Sequence, residues 1–201
     1  MLTIVVGRRE QLQIGIEAEL AAYRYKVFVE HLGWDLPIAE AGAERDPFDR
    51  PDTLYVMVKD RDGRICGCAR LLPTNEPYLL GTLCPQLMGN QTPPASAEIW
   101  ELSRYTTQRV DGEIASREEA AARFRELLKA VCDAAFAHGA KRLISFSFPG
   151  VERIARNFGI HVHRVGPAQI IDGKPIVAFW IELDEQTFSA FASHEPSRAA
   201  H

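Results

Sequence analysis

Two hydrophobic periodicities alternate along this chain, and their order restricts the possible folds more than any single residue does. Strand-like segments, with alternating or β-branched apolar residues, cover 2–6, 53–59, 65–72, 98–105, 142–148, 161–165 and 176–183. Helical spacing of apolar residues covers 10–31, 116–136 and 151–157, and a short helix follows the last strand. Strands and helices in this order pack best as one sheet with helices on both faces. The sequence therefore predicts an α/β fold, a three-layer α/β/α sandwich around a mixed sheet.

Local signals mark several ends of these elements. Gly33 and Gly139 end the first and the longest helix, and Ser116 with Glu119 forms a capping box at the start of the latter. Residues 60–63, with the sequence Asp-Arg-Asp-Gly, predict a hairpin turn. Proline-rich irregular stretches cover 34–52 and 73–97, and long loops of this kind are usually functional. We predict a single domain over 1–201 with a frayed tail over 193–201.

Composition excludes several classes of protein. The net charge of −4 over 201 residues argues against a general nucleic-acid binder. No apolar run is long enough to span a membrane, and the N-terminus lacks the features of a signal peptide, so we expect a cytoplasmic protein. The four cysteines do not have metal-ligand spacing and suit buried apolar positions in a reducing compartment. The sequence predicts no metal and no cofactor.

Charged residues inside apolar strands are the strongest chemical signal. Arg70, Glu101 and Arg104 lie within such segments, where a charge is either paired structurally or lines a polar cleft. Strand alternation places Glu101 on one face and Arg104 on the other. The loop carboxylates Asp46 and Asp49 suit a ligand with a cationic amine and sulfonium, although the pattern is also that of an Asx-turn. Both readings stay open at this point.

Eight residues taken together resemble the invariant set of the acyl-homoserine lactone synthase family in order and spacing: Arg24, Phe28, Trp34, Asp46, Asp49, Arg70, Glu101 and Arg104. The local signatures that carry this resemblance are YRYKVFVE over 23–30, LGW over 32–34, ERDPFD over 44–49, CARL over 68–71 and WELSR over 100–104. The resemblance extends from the first strand to about Leu183. The sequences LGWDLP over 32–37 and RLLPT over 70–74 resemble the branch that makes octanoyl signals.

This resemblance implies an N-acetyltransferase-like fold with an acyl cleft between splayed central strands. Members of the family take an acyl group from acyl carrier protein, or in some cases from coenzyme A, and transfer it to the amine of S-adenosylmethionine. The methionine carboxylate then attacks its own γ-carbon, which expels methylthioadenosine and closes the lactone, a quorum-sensing signal. No metal or prosthetic group is implied. The first 52 residues are expected to close over S-adenosylmethionine.

The chemistry suggests roles for individual residues. Glu101 is the candidate base for the substrate amine, directly or through one water, and the strand backbone over 101–105 is the candidate oxyanion site. Arginine forks match a carboxylate, so the candidate partners of the substrate carboxylate are Arg24, Arg70 and Arg104. The candidate partners of the ammonium are Asp46 and Asp49, which could instead order the loop through Arg24 and Arg104. Phe28 and Trp34 offer aromatic faces for adenine and sulfonium, or form a hydrophobic clasp.

The acyl pocket is expected in the C-terminal half. Alternation over 143–148 places two serines on one face and two phenylalanines on the other, so the candidate lining residues are Ser103, Ser145, Ser147, Phe146 and Phe148. Family members that prefer 3-oxo chains carry a hydroxyl on this strand, and the sequence does not choose between the two serines. Strand serines are also often only tolerated polar positions.

Acyl carrier protein is acidic, so its docking face should be basic. Five cations cluster in sequence after the long helix: Lys141, Arg142, Arg153, Arg156 and Arg164. Taken singly, each suits an ordinary solvated surface. His161 and His163 alternate on a strand without a partner motif, and we interpret them as structural. Two rival functions remain: a general N-acyltransferase that uses acyl-CoA, although its usual pyrophosphate loop is missing, and a non-catalytic sensor of acyl or adenosyl ligands.

Overall fold

The computed structural model describes residues 2–36, 40–110 and 116–193, and its centre is an eight-stranded mixed sheet. In space the strands follow the order β1-β2-β3-β4-β5-β8-β6, and β7 pairs with a further part of β8. Neighbouring strands are antiparallel except β4 and β5, which are parallel. The strands are β1 (Thr3–Arg8), β2 (Leu54–Lys59), β3 (Ile65–Pro73), β4 (Ile99–Thr106), β5 (Arg142–Ser147), β6 (Val162–Arg164), β7 (Gln169–Ile171) and β8 (Lys174–Glu182).

Helices cover both faces of this sheet. They are α1 (Ile16–Arg24), α2 (Leu79–Leu83), α3 (Arg117–Ala137), α4 (Pro149–Asn157) and α5 (Glu185–Ala192). Side chains of α3, α4 and α5 pack with β2, β3 and β8 in the largest apolar cluster, while α1 and α2 belong to two clusters on other parts of the sheet. The predicted three-layer α/β/α sandwich is confirmed. None of the helices in the described part of the chain is long and apolar enough to cross a membrane.

The first helix differs from the prediction at its start and in the type of its last turns. It begins at Ile16 and not at residue 10, because Gly15 adopts φ +92°, a left-handed conformation that precedes the helix and favours glycine. Beyond Arg24 the helix continues as a π-helical segment, Tyr25–His31. It ends before Gly33, which adopts φ +64° and so confirms the predicted stop. Wider π-turns often occur at functional sites.

Two features of the fold were not predicted: the helical turns within 73–97 and the hairpin formed by β7 and β8. The stretch 73–97 contains α2 and a 3-10 turn, Pro85–Met88. A hairpin joins β7 to β8 through Asp172 and Gly173, both at positive φ. The helix α2 depends on a partner elsewhere in the chain, since its first N–H groups donate hydrogen bonds to Glu101.

The capping box of Ser116 and Glu119 at the start of α3 is confirmed. Of the predicted frayed tail, 194–201 lies outside the described residues.

The sheet opens between β4 and β5. Their pairing runs from Ile99 with Arg142 to Leu102 with Ser145 and stops there, although both strands continue. On its other edge β4 is paired with β3 up to Thr106. The two central strands therefore diverge beyond Leu102, and this gap positions the site described next.

Candidate active site

A bulge in β4 brings Arg104 to the site. Arg70 pairs with Ser103 whereas Cys68 pairs with Thr106, so β4 holds one extra residue over this interval. Arg104 adopts φ +52° within it, a strained conformation for a residue with a Cβ atom. The simple alternation that placed Arg104 opposite Glu101 and Ser103 is therefore wrong here. The bulge turns the guanidinium of Arg104 toward Asp46, which Arg70 also contacts.

Three arginines and three carboxylates form a closed ring of ion pairs. Each arginine bridges two carboxylates, and each carboxylate bridges two arginines. Around the ring, the members are Arg24, Glu44, Arg104, Asp46, Arg70 and Asp49, with Asp49 returning to Arg24. Their side chains expose at most 5% of their surface. Charges balance within the ring, which makes burial of six charged groups tolerable.

The ring distances are those of direct, charge-assisted hydrogen bonds. Arg70 Nη1 lies 2.6 Å from Asp46 Oδ1 and 3.0 Å from Asp49 Oδ1. Arg104 Nη2 lies 2.8 Å from Asp46 Oδ2 and 3.0 Å from Glu44 Oε1. Arg24 Nη1 lies 2.7 Å from Asp49 Oδ1. The ring therefore joins α1, the loop 44–49, β3 and β4 at one point.

The arginines lower the pKa of two of the ring carboxylates, Glu44 and Asp49. Burial alone would raise the pKa of Glu44, but Arg24 and Arg104 lower it below its usual value. Burial acts likewise on Asp49, and Arg24 and Arg70 hold its pKa far below the usual range. Asp49 also accepts a hydrogen bond from the hydroxyl of Tyr55. Both carboxylates are thus ionised at neutral pH.

Five of the six ring members were predicted as site residues, and Glu44 was missed. It is completely buried and connects Arg24 on the helix with Arg104 on the strand. The sequence did contain a signal for it, because Glu44 is the first residue of the loop signature over 44–49 and is a carboxylate like Asp46 and Asp49. In the structure Asp46 and Asp49 contact the arginines, which fits the second of their two predicted roles, ordering of the loop.

Glu101 lies outside the ring, with no exposed surface. Its two carboxylate oxygens accept from the backbone N–H groups of Leu79 at 3.3 Å and Leu80 at 2.6 Å, at the start of α2. Burial raises its pKa, and the hydrogen bonds from Leu80 and Ser103 and the charge of Arg70 only partly oppose this. Ser103 also accepts a hydrogen bond from Arg70 Nε at 3.1 Å. Ser103 therefore connects Glu101 to Arg70.

A cavity of about 220 Å³ passes through the sheet where β4 and β5 diverge. At one end it is lined by Phe28, Leu32 and Trp34 from the N-terminal segment, and at the other by residues of α3, α4 and β8. The predicted pocket residues all line it: Ser103, Ser145, Phe146, Ser147 and Phe148. Its inner end is apolar, and includes Leu128, Ala155, Phe179 and Ile181. Glu101, Arg24 and Arg70 are not among the lining residues.

The mouth of the cavity combines aromatic rings with one cation. Phe28 and Trp34 stack with their ring centroids 4.8 Å apart. The guanidinium carbon of Arg104 lies 5.7 Å from the centroid of Phe28 and 5.8 Å from that of Trp34. Arg104 is the one ring arginine that also lines the cavity. It therefore connects the ion ring to the space where a ligand would bind.

The two candidate serines of β5 have different surroundings. Ser145 is buried and its hydroxyl donates to the carbonyl of Leu102 at 2.8 Å, across the last paired position of β4 and β5. Ser147 is half-buried and follows where the strands have separated. Ser145 therefore holds the narrow end of the gap, whereas Ser147 faces the wider part.

Most cations of the predicted basic face are paired. Lys141 contacts Glu98, Arg142 contacts Glu182, and Glu152 receives both Arg156 and Arg164. Arg153 is exposed on α4 and has no acidic partner among the residues that the structure describes. The histidines interpreted as structural each contact a carboxylate, His161 with Asp184 and His163 with Glu182. The basic face stays a prediction, and its unpaired charge is centred on Arg153.

The comparisons with known proteins agree with this geometry. The sequence profile of the autoinducer synthase family matches residues 9–191. An acyl-homoserine-lactone synthase of Ralstonia solanacearum is 44% identical over 191 residues, which cover 94% of this chain and 93% of the relative. The crystal structure of TofI in a ternary complex with an inhibitor and MTA has a TM-score of 0.83 at 43% identity, covering 94% of this chain and 96% of that one.

A more distant structure bears on the fold alone. A Lactobacillus plantarum protein assigned as an N-acetyltransferase has a TM-score of 0.58 at 18% identity, covering 91% of this chain and 99% of that one. The chain therefore has an N-acetyltransferase-like fold, with a cavity between its diverging central strands. Within that fold class, the chain belongs to the autoinducer synthase family and is an acyl-homoserine-lactone synthase.

Proposed function

We propose that this enzyme transfers an acyl group from acyl carrier protein to the amine of S-adenosylmethionine and then closes the lactone. The nitrogen bonds to the thioester carbonyl, and the carrier thiolate leaves. The methionine carboxylate then attacks its own γ-carbon, which breaks the carbon–sulfur bond and releases methylthioadenosine. The cavity that crosses the sheet carries this proposal, because its mouth is aromatic and charged while its inner end is apolar.

The two ends of the cavity suit different parts of the reacting pair. A sulfonium and an adenine ring fit the stacked faces of Phe28 and Trp34, since cations and aromatic rings both favour such faces. The acyl chain fits the inner end beside Leu128 and Ala155. The thioester carbonyl then lies in the gap between β4 and β5, where the N–H groups of 101–105 are our candidate oxyanion site.

The proton of the attacking amine needs a route to a base. Glu101 is our candidate, but the cavity wall contains Ser103 and not Glu101. Ser103 lies close enough to Glu101 to lower its pKa, so we propose that the proton reaches the carboxylate through this hydroxyl or a water beside it. Since burial raises the pKa of Glu101, the carboxylate is a stronger base than a free glutamate. It also becomes protonated at a higher pH. As the pH is lowered, we therefore expect turnover to begin to fall at a higher pH than it would with an unperturbed glutamate.

The partner of the substrate carboxylate follows from the ring. Arg24 and Arg70 pair with the protein's own carboxylates and lie outside the cavity wall, although each also has a buried Nη2 without a partner in the described part of the chain. Arg104 donates hydrogen bonds from Nε and Nη2 to Glu44 and Asp46. Its Nη1 has no hydrogen-bond partner in the described part of the chain. We therefore propose Arg104, through Nη1, as the group that holds the methionine carboxylate.

The donor we propose is acyl carrier protein, delivered to the cytoplasmic enzyme at α4. This helix lines the cavity with Val151 and Ala155 and exposes Arg153 to solvent. An acidic carrier would be attracted to this unpaired cation. We expect Arg153→Glu to raise KM for acyl carrier protein donors and to leave KM for acyl-CoA donors unchanged. Equal effects on both donors, or none, would remove Arg153 from the docking surface.

Product analysis tests the reaction as a whole. Purified enzyme receives S-adenosylmethionine and a mixture of acyl carrier protein or acyl-CoA donors, and mass spectrometry follows lactone and methylthioadenosine. We expect equal amounts of both products. An acylated amine without methylthioadenosine would instead indicate a general N-acyltransferase, and ligand binding without turnover would indicate a sensor.

A single substitution tests the base. Glu101→Gln keeps an acceptor for the α2 N–H groups while removing the basic carboxylate. We therefore expect a folded protein whose kcat is lower by about 100-fold or more. Circular dichroism and thermal unfolding control for the fold. Unchanged kcat in the folded variant would exclude Glu101 from proton transfer.

A further inference from the structure

Residues 28–34, here called the aromatic lid, cover the mouth of the cavity. Phe28, Leu32 and Trp34 all line it. Their backbone belongs to the end of the π-helical segment and to the turn at Gly33. The position of this short piece of chain therefore sets whether the cavity mouth is covered.

One contact fixes the lid to a distant part of the sequence. The ammonium of Lys174 donates a hydrogen bond to the backbone carbonyl of Leu32 at 3.1 Å, across 142 positions of sequence. This carbonyl lies at the C-terminal end of the helical segment, where carbonyl groups lack helical partners and attract cations. The proposed reaction makes no use of Lys174.

The residue that makes this contact follows a tight hairpin turn. Asp172 and Gly173 form a two-residue hairpin turn with φ of +49° and +72°, and Lys174 follows at once. Left-handed values at both positions match the tight turn that strand twist favours. The hairpin is tied to the 3-10 turn Pro85–Met88, because Gln169 donates to the carbonyl of Gln86 at 2.5 Å. Lys174 thus extends from a hairpin whose backbone follows a tight turn and which contacts the 3-10 turn Pro85–Met88.

The lid reaches across the gap between the strands. On β8, Val177 pairs with Ser147 at the end of β5, so Lys174 lies three residues beyond the last paired position of that strand. On the other side, His31 contacts Gln108, just beyond the end of β4, at 2.9 Å between Nδ1 and Nε2. The lid segment is therefore attached on both sides of the diverging strands.

We propose that Lys174 is a positioning residue that latches the aromatic lid over the bound S-adenosylmethionine. This rests on the proposed function, in which Phe28 and Trp34 contact that substrate. Lys174 acts through the backbone of Leu32 and touches neither reacting atom. Loss of the latch lowers the closed fraction of the lid, so the substrate must first close it, and the apparent affinity falls by that fraction.

Four proteins test the latch: wild type, Lys174→Met, Lys174→Arg and Lys129→Met. Methionine keeps most of the side-chain length but not the donor, whereas arginine can still donate to a carbonyl. Lys129 lies on α3, paired with Asp133, and is the matched control. Amide hydrogen exchange of the lid is measured without substrate, together with kcat and KM for S-adenosylmethionine.

We expect Lys174→Met to speed exchange at 28–34 about tenfold, to raise KM about tenfold and to change kcat less than twofold, as for loss of one charge-assisted hydrogen bond. Lys174→Arg should recover most of the loss, and Lys129→Met should match wild type. Unchanged lid exchange, unchanged KM, or faster exchange throughout β2 and β3 would each overturn the latch. If the wild type does not consume S-adenosylmethionine, the proposed function fails while the exchange data still decide the latch.

Discussion

The ion ring and the cavity lie side by side and are built on opposite principles. The ring fills its space with six charged side chains that pair with one another, and 44–49 supplies all three carboxylates. Only Nη2 of Arg24 and Nη2 of Arg70 are buried in the ring without a hydrogen-bond partner in the described part of the chain. The cavity leaves about 220 Å³ unfilled and surrounds it mainly with apolar side chains. Arg104 belongs to both. The ring fixes the geometry of the mouth, and the cavity provides the room for a ligand.

This contrast assigns different consequences to substitutions in the two regions. A ring residue has partners that remain buried and charged when it is removed, so its loss should affect folding. A residue of the cavity wall faces empty space on one side, so its loss should affect ligands more than folding. The predictions below test this separation.

Glu44→Gln should have the largest effect on stability. Gln removes the negative charge between Arg24 and Arg104 and leaves the buried ring with one excess positive charge. We expect a loss of about 3–5 kcal/mol in the free energy of unfolding, measured by urea denaturation. Glu30→Gln, at an exposed position of the π-helical segment Tyr25–His31, is the control and should match wild type. A loss below about 1 kcal/mol would mean that the ring does not stabilise the fold.

Acid should remove the same contribution without a substitution. The folded-state pKa of Glu44 is lowered, so its stabilisation is fully present above the unfolded value of about 4.3 and is lost as pH falls toward the folded value. The difference in unfolding free energy between wild type and Glu44→Gln should therefore narrow below about pH 4. Urea titrations from pH 7 to pH 3 measure it. If the difference in unfolding free energy between the two proteins instead grows as the pH falls, Glu44 does not have a lowered pKa in the folded protein.

Trp34→Leu should separate binding from folding. Leucine keeps apolar cover at the mouth but removes the ring that stacks on Phe28 and faces Arg104. We expect KM for S-adenosylmethionine to rise about tenfold, from loss of a desolvated cation–π contact. The free energy of unfolding should change by less than about 1 kcal/mol. An unfolding loss as large as that of Glu44→Gln would place Trp34 with the ring, as the hydrophobic clasp.

Ser145→Ala should give the smallest effect. Its hydroxyl donates to the Leu102 carbonyl where β4 and β5 begin to separate, so its removal costs about 1 kcal/mol of unfolding free energy. Ser147→Ala, at a half-buried position, is the comparison and should cost less. If Ser147→Ala is the more destabilising of the two, Ser145 does not hold the narrow end of the gap.

The sequence predicted most residues of the ion ring but not the backbone geometry that brings them together. Charged residues in apolar strands identified Arg70, Glu101 and Arg104 because buried charges are costly and therefore conspicuous. The bulge at Arg104 could not be predicted, since alternation assumes a regular strand and no glycine marks the positive φ. Glu44 was overlooked although it opens the loop signature, because the sequence does not show its contacts with two elements distant along the chain.

The elements show the same division between local and distant causes. The capping box of Ser116 and the glycine stops are local signals and were predicted correctly. The short helix α2 is held by Glu101, more than twenty residues away in sequence, and had no local signature. The cavity likewise arises from two strands that stop pairing after Leu102, which hydrophobic periodicity does not encode.

The central claim is that the cavity between β4 and β5 holds the acyl chain, and one measurement tests it most directly. Ala155 lies at the inner end of the cavity, so Ala155→Leu shortens the available space. Wild type and variant receive equal mixtures of acyl donors of different length, and mass spectrometry measures the lactones formed. We predict a shift to shorter acyl chains with total turnover retained on the shortest donor. An unchanged distribution of chain lengths would contradict the claim.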